Sequence, residues 1–192
     1  MNTNEPRPFL NAYESIIARR TAHAYRDLPI DFQSLQRSLD AANHAPCHKL
    51  TFPWRFVRVG PKGRVSMAEL AVQIKAETRP LSSEEAKRIF TKTMAPPELV
   101  VACQVKSMDP FRGREDYAAC ACAIQNFFIS LASEGISGKW STGAITRDLR
   151  TYRLLGLDPA ALEVIGFLWA GMADMPPPID RPPLESVVRT IP

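Results

Sequence analysis

Apolar side chains recur along this chain with two periods, and those periods predict its elements. Residues 8–20 read as a helix, with Phe9, Tyr13, Ile16 and Ile17 on one face. Asp31 is placed to cap a helix over 32–44, with Phe32, Leu35, Leu39 and Ala42 turned inward. The spacing changes to strict alternation over 54–59, which predicts a strand. Residues 62–78 and 82–95 return to helical spacing on either side of Pro80, and their mixed charge predicts a surface excursion. The compact apolar run 98–105 predicts a central strand, and 162–171 a second buried one. Between them lie a long helix over 114–134 and a short one over 147–155.

The long helix has a waist of small residues, Ala118 to Ala123. Small side chains let neighbouring helices approach on several sides. A partner subunit or a tightly packed core would each meet that expectation. The chain closes on an arm, about residues 174–192, that carries Pro176 to Pro178, Pro182 and Pro183 and reads as extended. Leu184, Val187 and Val188 could dock it onto a neighbour. No internal repeat or second domain is visible, so 1–192 reads as one domain with a substantial core.

Composition narrows the class. Apolar residues are 45% of the 192 and charged residues 23%, ordinary for a soluble globular protein. A net charge of +4 suits an anionic ligand but is not the dense basic stripe of a nucleic-acid binder. No apolar run is long enough to span a membrane, and the first ten residues lack the order of a signal peptide. A cytoplasmic location with reduced thiols is the expectation. The four cysteines, Cys47, Cys103, Cys120 and Cys122, lack metal-ligand spacing, so no metal site is expected.

Three stretches carry candidate chemistry. Arg19-Arg20-Thr21 ends the first helix, where two guanidiniums and a hydroxyl would clamp a phosphate; a solvated surface pair is the alternative. The loop from Ala45 to Phe56 is stiffened by Pro46 and Pro53 and sets His48, Lys49 and Cys47 beside Phe52 and Trp54. Such a loop suits a flat, heteroatom-rich ligand, or is an ordinary connection with a buried Trp. Gly135 to Gly143 ends in Trp140-Ser141-Thr142, hydroxyls between glycines that allow close approach to a ligand.

Taken in order, these pieces resemble the nitroreductase family of FMN-dependent oxidoreductases, especially its short-chain branch. The resemblance rests on Arg19-Arg20-Thr21; on Ala41-Ala42-Asn43-His44-Ala45-Pro46 followed by Pro53-Trp54-Arg55-Phe56; on Ala123 to Asn126 leading to Gly135-Ile136 and Trp140-Ser141-Thr142-Gly143; and on Val164-Ile165-Gly166-Phe167 with Arg181-Pro182-Pro183-Leu184-Glu185. It is weakest over 62–95. It implies an α+β fold, a central mostly antiparallel sheet flanked by helices, in an intertwined homodimer with FMN at the interface. By the same resemblance Arg19, Arg20, Thr21 and Arg181 hold the FMN phosphate end. Trp140, Ser141 and Thr142 line the flavin from the same subunit, and His44 is a further flavin contact. His48 and Leu50 reach it from the opposite subunit. His23 departs from the arginine common in the family, and Cys47 from Ser, Asn or Asp; the Cys47 thiol would touch substrate or fill space.

The activity implied is hydride transfer from transient NADH or NADPH to flavin N5, then to an electron-poor acceptor such as a nitroaromatic or quinone. The flavin carries that chemistry, and no side chain is singled out as acid or base. His44 and Lys49 are candidates for charge near the flavin's pyrimidine end. The competing expectations are an FMN-binding module whose flavin is structural, sensed or consumed, and a basic interaction protein without cofactor.

Overall fold

The structure, a computed structural model, describes residues 11–174 and 179–191. The expected helix start at 8–10 with Phe9, and Pro176 to Pro178 of the arm, lie outside the described residues.

Helix α1 spans Ala12–Ala18, opened by a capping box in which the Asn11 side chain and Glu14 bond each other's backbone N–H. Helix α2 runs Phe32–Asn43, and the Asp31 carboxylate accepts from Gln33 N at 3.2 Å, as the cap expectation required. Strand β1 (Trp54–Arg58), α3 (Pro61–Thr78) and α4 (Ser83–Met94) follow, then β2 (Glu98–Val105). Helix α5 covers Pro110–Ser133, four residues longer at its start than the apolar pattern predicts, because Asp109 caps it and Pro110 fits its first turn. After β3 (Ser137–Ser141), the expected single short helix is two: α6 (Ala144–Arg147) and α7 (Leu149–Leu155), divided at Asp148, whose extended backbone caps the second. Strand β4 (Leu162–Gly171) ends the sheet.

The sheet is four-stranded and antiparallel in the order β1-β2-β4-β3, so β2 and β4 are the inner strands. Alternation along β2 sends Val100 and Ala102 to one face and Leu99, Val101 and Cys103 to the other. The first face packs on α5 and α2 through Phe127, Leu131, Ile124 and Leu35. The second packs on Met67 of α3 and Tyr152 of α7. Helix α3 is therefore part of the core, with Met67, Ala68 and Leu70 buried, and not the surface excursion its charge suggested; α4 alone fits that description, with no buried residue.

One irregularity shapes the site. Ala102 pairs with Gly166 but Cys103 with Val164, so Ile165 is the extra residue of a β-bulge. The bulge turns Ile165 and Gly166 toward the same face, and Trp140 of β3 lies across them. The Trp140 indole N–H donates to Ile165 O at 3.1 Å. A Cβ on Gly166 would sit 1.9 Å from Trp140 Nε1, so only glycine fits. Gly138 is tight as well, since a Cβ there would meet the Phe128 ring of α5 at 2.4 Å, so packing alone requires that glycine.

One shared apolar face and one inward expectation lie open in the single chain. Tyr13, Ile16 and Ile17 share a face of α1, yet all three are exposed. Phe32 is also exposed and is capped by the Arg58 guanidinium, 4.8 Å from its ring centroid. On α5 the buried face follows Ala119, Ala123, Phe127 and Leu131, while Tyr117, Ala118, Cys122 and Gln125 remain exposed.

Candidate functional site

The chain leaves α1 at Arg19, whose N–H still bonds Ser15 O at 3.0 Å while its ψ of 123° turns the backbone extended. Thr21 then forms a parallel bridge with Gly138, and Ala22 N donates to Gly138 O at 3.1 Å. These contacts seat Thr21 on the outer edge of β3 at Gly138, and because the bridge is parallel the following Ala22 and His23 run toward Ser141 while Arg19 and Arg20 lie toward the start of the strand. Two motifs far apart in sequence thus meet along one strand edge.

The arginines there differ. The Arg20 guanidinium folds back onto the carbonyls of Ile17 and Arg19, the last carbonyls of α1. Arg19 is half-buried, and its guanidinium is held below its ordinary value first by burial, then by the positive charges of Arg181 and Arg20. Arg181, from the arm, therefore comes near Arg19. Among the described residues none of the three forms an ion pair. Three neighbouring cations with no carboxylate fit a phosphate, and the exposed Thr21 hydroxyl is free to add a donor.

The next three residues divide their roles. Trp140 points into the core against the bulge. Ser141 points the other way, and its Oγ accepts from Trp169 Nε1 at 2.8 Å. Thr142 is exposed just beyond the strand end. Lys139 shares the Ser141 side, and with His23 and Lys92 it lines a cleft of about 140 Å³. Neither lysine was singled out in the sequence. Lys139 could have been, because alternation puts it on the face of Ser141. Lys92 reaches the cleft from α4, which no local signal foretells.

His44, His48 and Leu50 lie elsewhere, in the α2–β1 connection. His44 caps α2, and its Nδ1 lies 2.8 Å from Asp40 O. His48 Nδ1 lies 2.7 Å from Glu115 Oε1 on α5, whose other oxygen faces Arg112. Leu50 is 71% exposed. Lys49, Leu50 and Phe52 all have positive φ, a left-handed backbone that non-glycine residues resist. Cys47 holds them there: its Sγ accepts from Phe52 N at 3.2 Å and lies 3.2 Å from Thr51 Oγ1. Thr51 in turn donates to the buried Asp116 at 2.7 Å. The Cys47 thiol is a loop organiser. This connection enters β1, at the opposite edge of the sheet from β3. Three strand spacings, about 14 Å, separate the two edges, and no hydrogen bond or ion pair joins the two groups among the described residues.

No helix among the described residues is long and apolar enough to cross a membrane, and no three His, Cys, Asp or Glu side chains gather as a metal ion requires.

Known proteins share both sequence and architecture. YfhC of Bacillus subtilis (strain 168), provisionally named an NAD(P)H nitroreductase, is 28% identical over 145 residues, 74% of each chain. YdjA of Escherichia coli (strain K12), named in the same provisional way, is 25% identical over 84% of this chain and 88% of its own. A nitroreductase-like family protein from Bacillus cereus superposes with a TM-score of 0.79 at 22% identity, covering 100% of this chain and 98% of that one. The FMN and NADPH-dependent nitroreductase NfnB from Sphigopyxis sp. strain HMH gives 0.75 at 19% identity over 95% and 100%. The Nitroreductase family profile matches residues 16–171. With the α+β fold, the order of elements and most of the length in agreement, the chain belongs to the Nitroreductase family.

Proposed function

We propose that this chain binds FMN and works as an NAD(P)H-dependent oxidoreductase on electron-poor acceptors such as nitroaromatics or quinones. The observation that carries the reading is the cluster of Arg19, Arg20 and Arg181 beside Thr21, which the Thr21–Gly138 bridge seats at the start of β3. Bound FMN would supply hydride transfer between a reduced nicotinamide and the acceptor. The residues supply the rest. Arg19, Arg20, Arg181 and Thr21 hold the phosphate end. Ser141 and Thr142 offer hydroxyls to the ring. Trp140 acts from beneath, by fixing the backbone of β3 on the bulge of β4.

A second copy of the chain completes the site. His44, His48 and Leu50 stand at the other edge of the sheet, where they would serve the partner's flavin. The exposed face of α1, with Tyr13, Ile16 and Ile17, and the exposed Leu184, Val187, Val188 and Ile191 of the arm are the apolar surface such a homodimer would cover. A cytosolic location belongs to the same reading.

The test is anaerobic mixing of the purified, FMN-loaded protein with NADH and with NADPH. Loss of the flavin's visible absorbance with at least one donor, and a dimer mass in solution, are expected. If neither donor bleaches the flavin, the reductase reading fails.

A further inference from the structure

The four cysteines are free thiols in unequal surroundings. Cys103 and Cys120 are buried, Cys122 is exposed, and Cys47 is half-buried at the head of the left-handed turn. Cys47 and Cys120 share one place. Cys47 packs against the core cluster that contains Cys120. Its Sγ lies 3.2 Å from Thr51 Oγ1, and that hydroxyl donates to Asp116 at 2.7 Å. Asp116 and Cys120 stand four residues apart on α5, neighbours on one face of the helix. The Cys47 sulfur is thus linked through one hydroxyl to one turn of α5, and the Cys120 sulfur is on the next. Burial first, then Asp116, Cys47 and Cys103, push the Cys120 thiol up to about 12. The other two thiols do not compete. Cys122 is two residues further on, about 200° around the helix, and is exposed. Cys103 lies on the other face of β2.

The surroundings set the order in which the pair would react. Cys47 is open to a small oxidant, and the buried Cys120 is not. Cys47 also stands in a connection between elements, whereas Cys120 is fixed in the middle of α5. A disulfide needs the two Cβ atoms about 4 Å apart, so the loop is the part that moves. What the loop gives up is what holds its turn, because Phe52 N donates to Cys47 Sγ at 3.2 Å.

We propose that Cys47 and Cys120 form a thiol–disulfide latch, driven by hydrogen peroxide, on the turn at 49–52. In the first step the Cys47 sulfur takes one oxygen as the O–O bond breaks. It becomes a sulfenic acid, oxidised by two electrons, and the other oxygen leaves as water. In the second the Cys120 sulfur attacks it, the S–S bond forms, the S–O bond breaks, and the hydroxyl leaves as water with the Cys120 proton. Together two thiols and one peroxide give one disulfide and two waters. Closing the bond turns the Cys47 Sγ from the Phe52 N–H toward α5, and Lys49, Leu50 and Phe52 relax from their left-handed backbone. The latch owes nothing to the reductase reading and is tested without flavin.

The purified chain, reduced and then treated with hydrogen peroxide at neutral pH, has its remaining thiols blocked and its peptides mapped by mass without reduction. The expected product is a linked Cys47–Cys120 pair, lighter by two hydrogens than its parts and opened by dithiothreitol. In Cys120→Ser the Cys47 sulfenic acid persists and is trapped by dimedone, and in Cys47→Ser the Cys120 thiol stays free. Amide exchange over 49–52 is expected to be about tenfold faster in the oxidised chain than in the reduced one. Onward oxidation of Cys47 to sulfinic acid with Cys120 free overturns the proposal. So does oxidation that joins only the Cys122 thiols of two molecules, or a Cys47–Cys120 bond with exchange unchanged. If the serine variants do not fold, the wild-type map and exchange decide alone.

Discussion

Gly166→Ala tests how the site is held from beneath. The new methyl would lie 1.9 Å from Trp140 Nε1 and 2.4 Å from its Cδ1, so the indole must move outward. Gly166 is on the inner strand β4, paired with Ala102, and cannot retreat without breaking the sheet. Overpacking of this kind costs about 1–3 kcal/mol. Displacing the indole also breaks its 3.1 Å bond to Ile165 O, a net loss of about 1 kcal/mol. Loss of chain entropy in the unfolded state returns about 0.5–1 kcal/mol. The balance is a destabilisation of about 1–3.5 kcal/mol, or on the order of 2–14 °C in Tm for a chain of this size. Urea denaturation followed by tryptophan fluorescence measures it. The same substitution in a Trp140→Ala background should be nearly neutral, because the methyl then enters the space the indole left. An equal cost in both backgrounds refutes the argument, as does a single-variant effect below about 0.5 kcal/mol.

Two further outcomes follow from charges. Arg181→Ala removes one of the two cations that act on Arg19 and should weaken FMN binding by about tenfold, read by fluorescence titration of the apoprotein with flavin, and by less as salt is raised. The Asp148 carboxyl is pulled down to about 2, first by its hydrogen bonds to the Arg150 side chain and then by the Arg150 backbone N–H. A depressed carboxylate contributes stability that is present above its unfolded value, near 4, and lost as pH falls toward 2; Asp148→Asn should therefore flatten that part of the stability profile, measured by thermal melts at successive pH values.

Some of this was readable before any coordinates. Asp31 announces its helix, because a cap acts within three residues and its chemistry is local. The run from Glu98 to Val105 announces an inner strand because both of its faces are covered. What stayed hidden is what only tertiary contact decides. Mixed charge on α3 concealed Met67, Ala68 and Leu70, since three buried residues in eighteen leave a weak apolar stripe. The bulge at Ile165 has no signature beyond Gly166, whose reason is a tryptophan on another strand. Exposed apolar residues on α1 carried a correct helical period, but the period cannot say whether a face meets its own core or another chain. Lys92 and Lys139 meet because α4 and β3 converge, and neither segment foretells the other. Arg19, Arg20 and Thr21 could be named from the sequence. The parallel bridge that seats Thr21 on Gly138 and sends His23 toward Ser141 could not.

The left-handed turn at 49–52 is the least expected feature, because Lys49, Leu50 and Phe52 have no glycine among them. Each such residue costs about 1–2 kcal/mol against its preferred backbone. The turn persists because Cys47, Thr51 and Asp116 bond across it and His48 is tied to Glu115. Strain held by surrounding bonds is a mark of positions fixed for function, and here it leaves Leu50 exposed. Lys49→Gly separates the two demands. The Lys49 side chain is exposed and makes no hydrogen bond among the described residues, so its removal loses little. Glycine relieves the 1–2 kcal/mol of strain and loses about 0.5–1 kcal/mol to its greater freedom when unfolded. Relief is the larger, and the variant should be more stable by up to about 1.5 kcal/mol in urea titration. On the proposed function turnover should fall, because the His48 and Leu50 assigned there to a partner's flavin would be less firmly held. A variant that loses stability would show that the turn is not strained, and one that gains stability with full turnover would separate the strain from function.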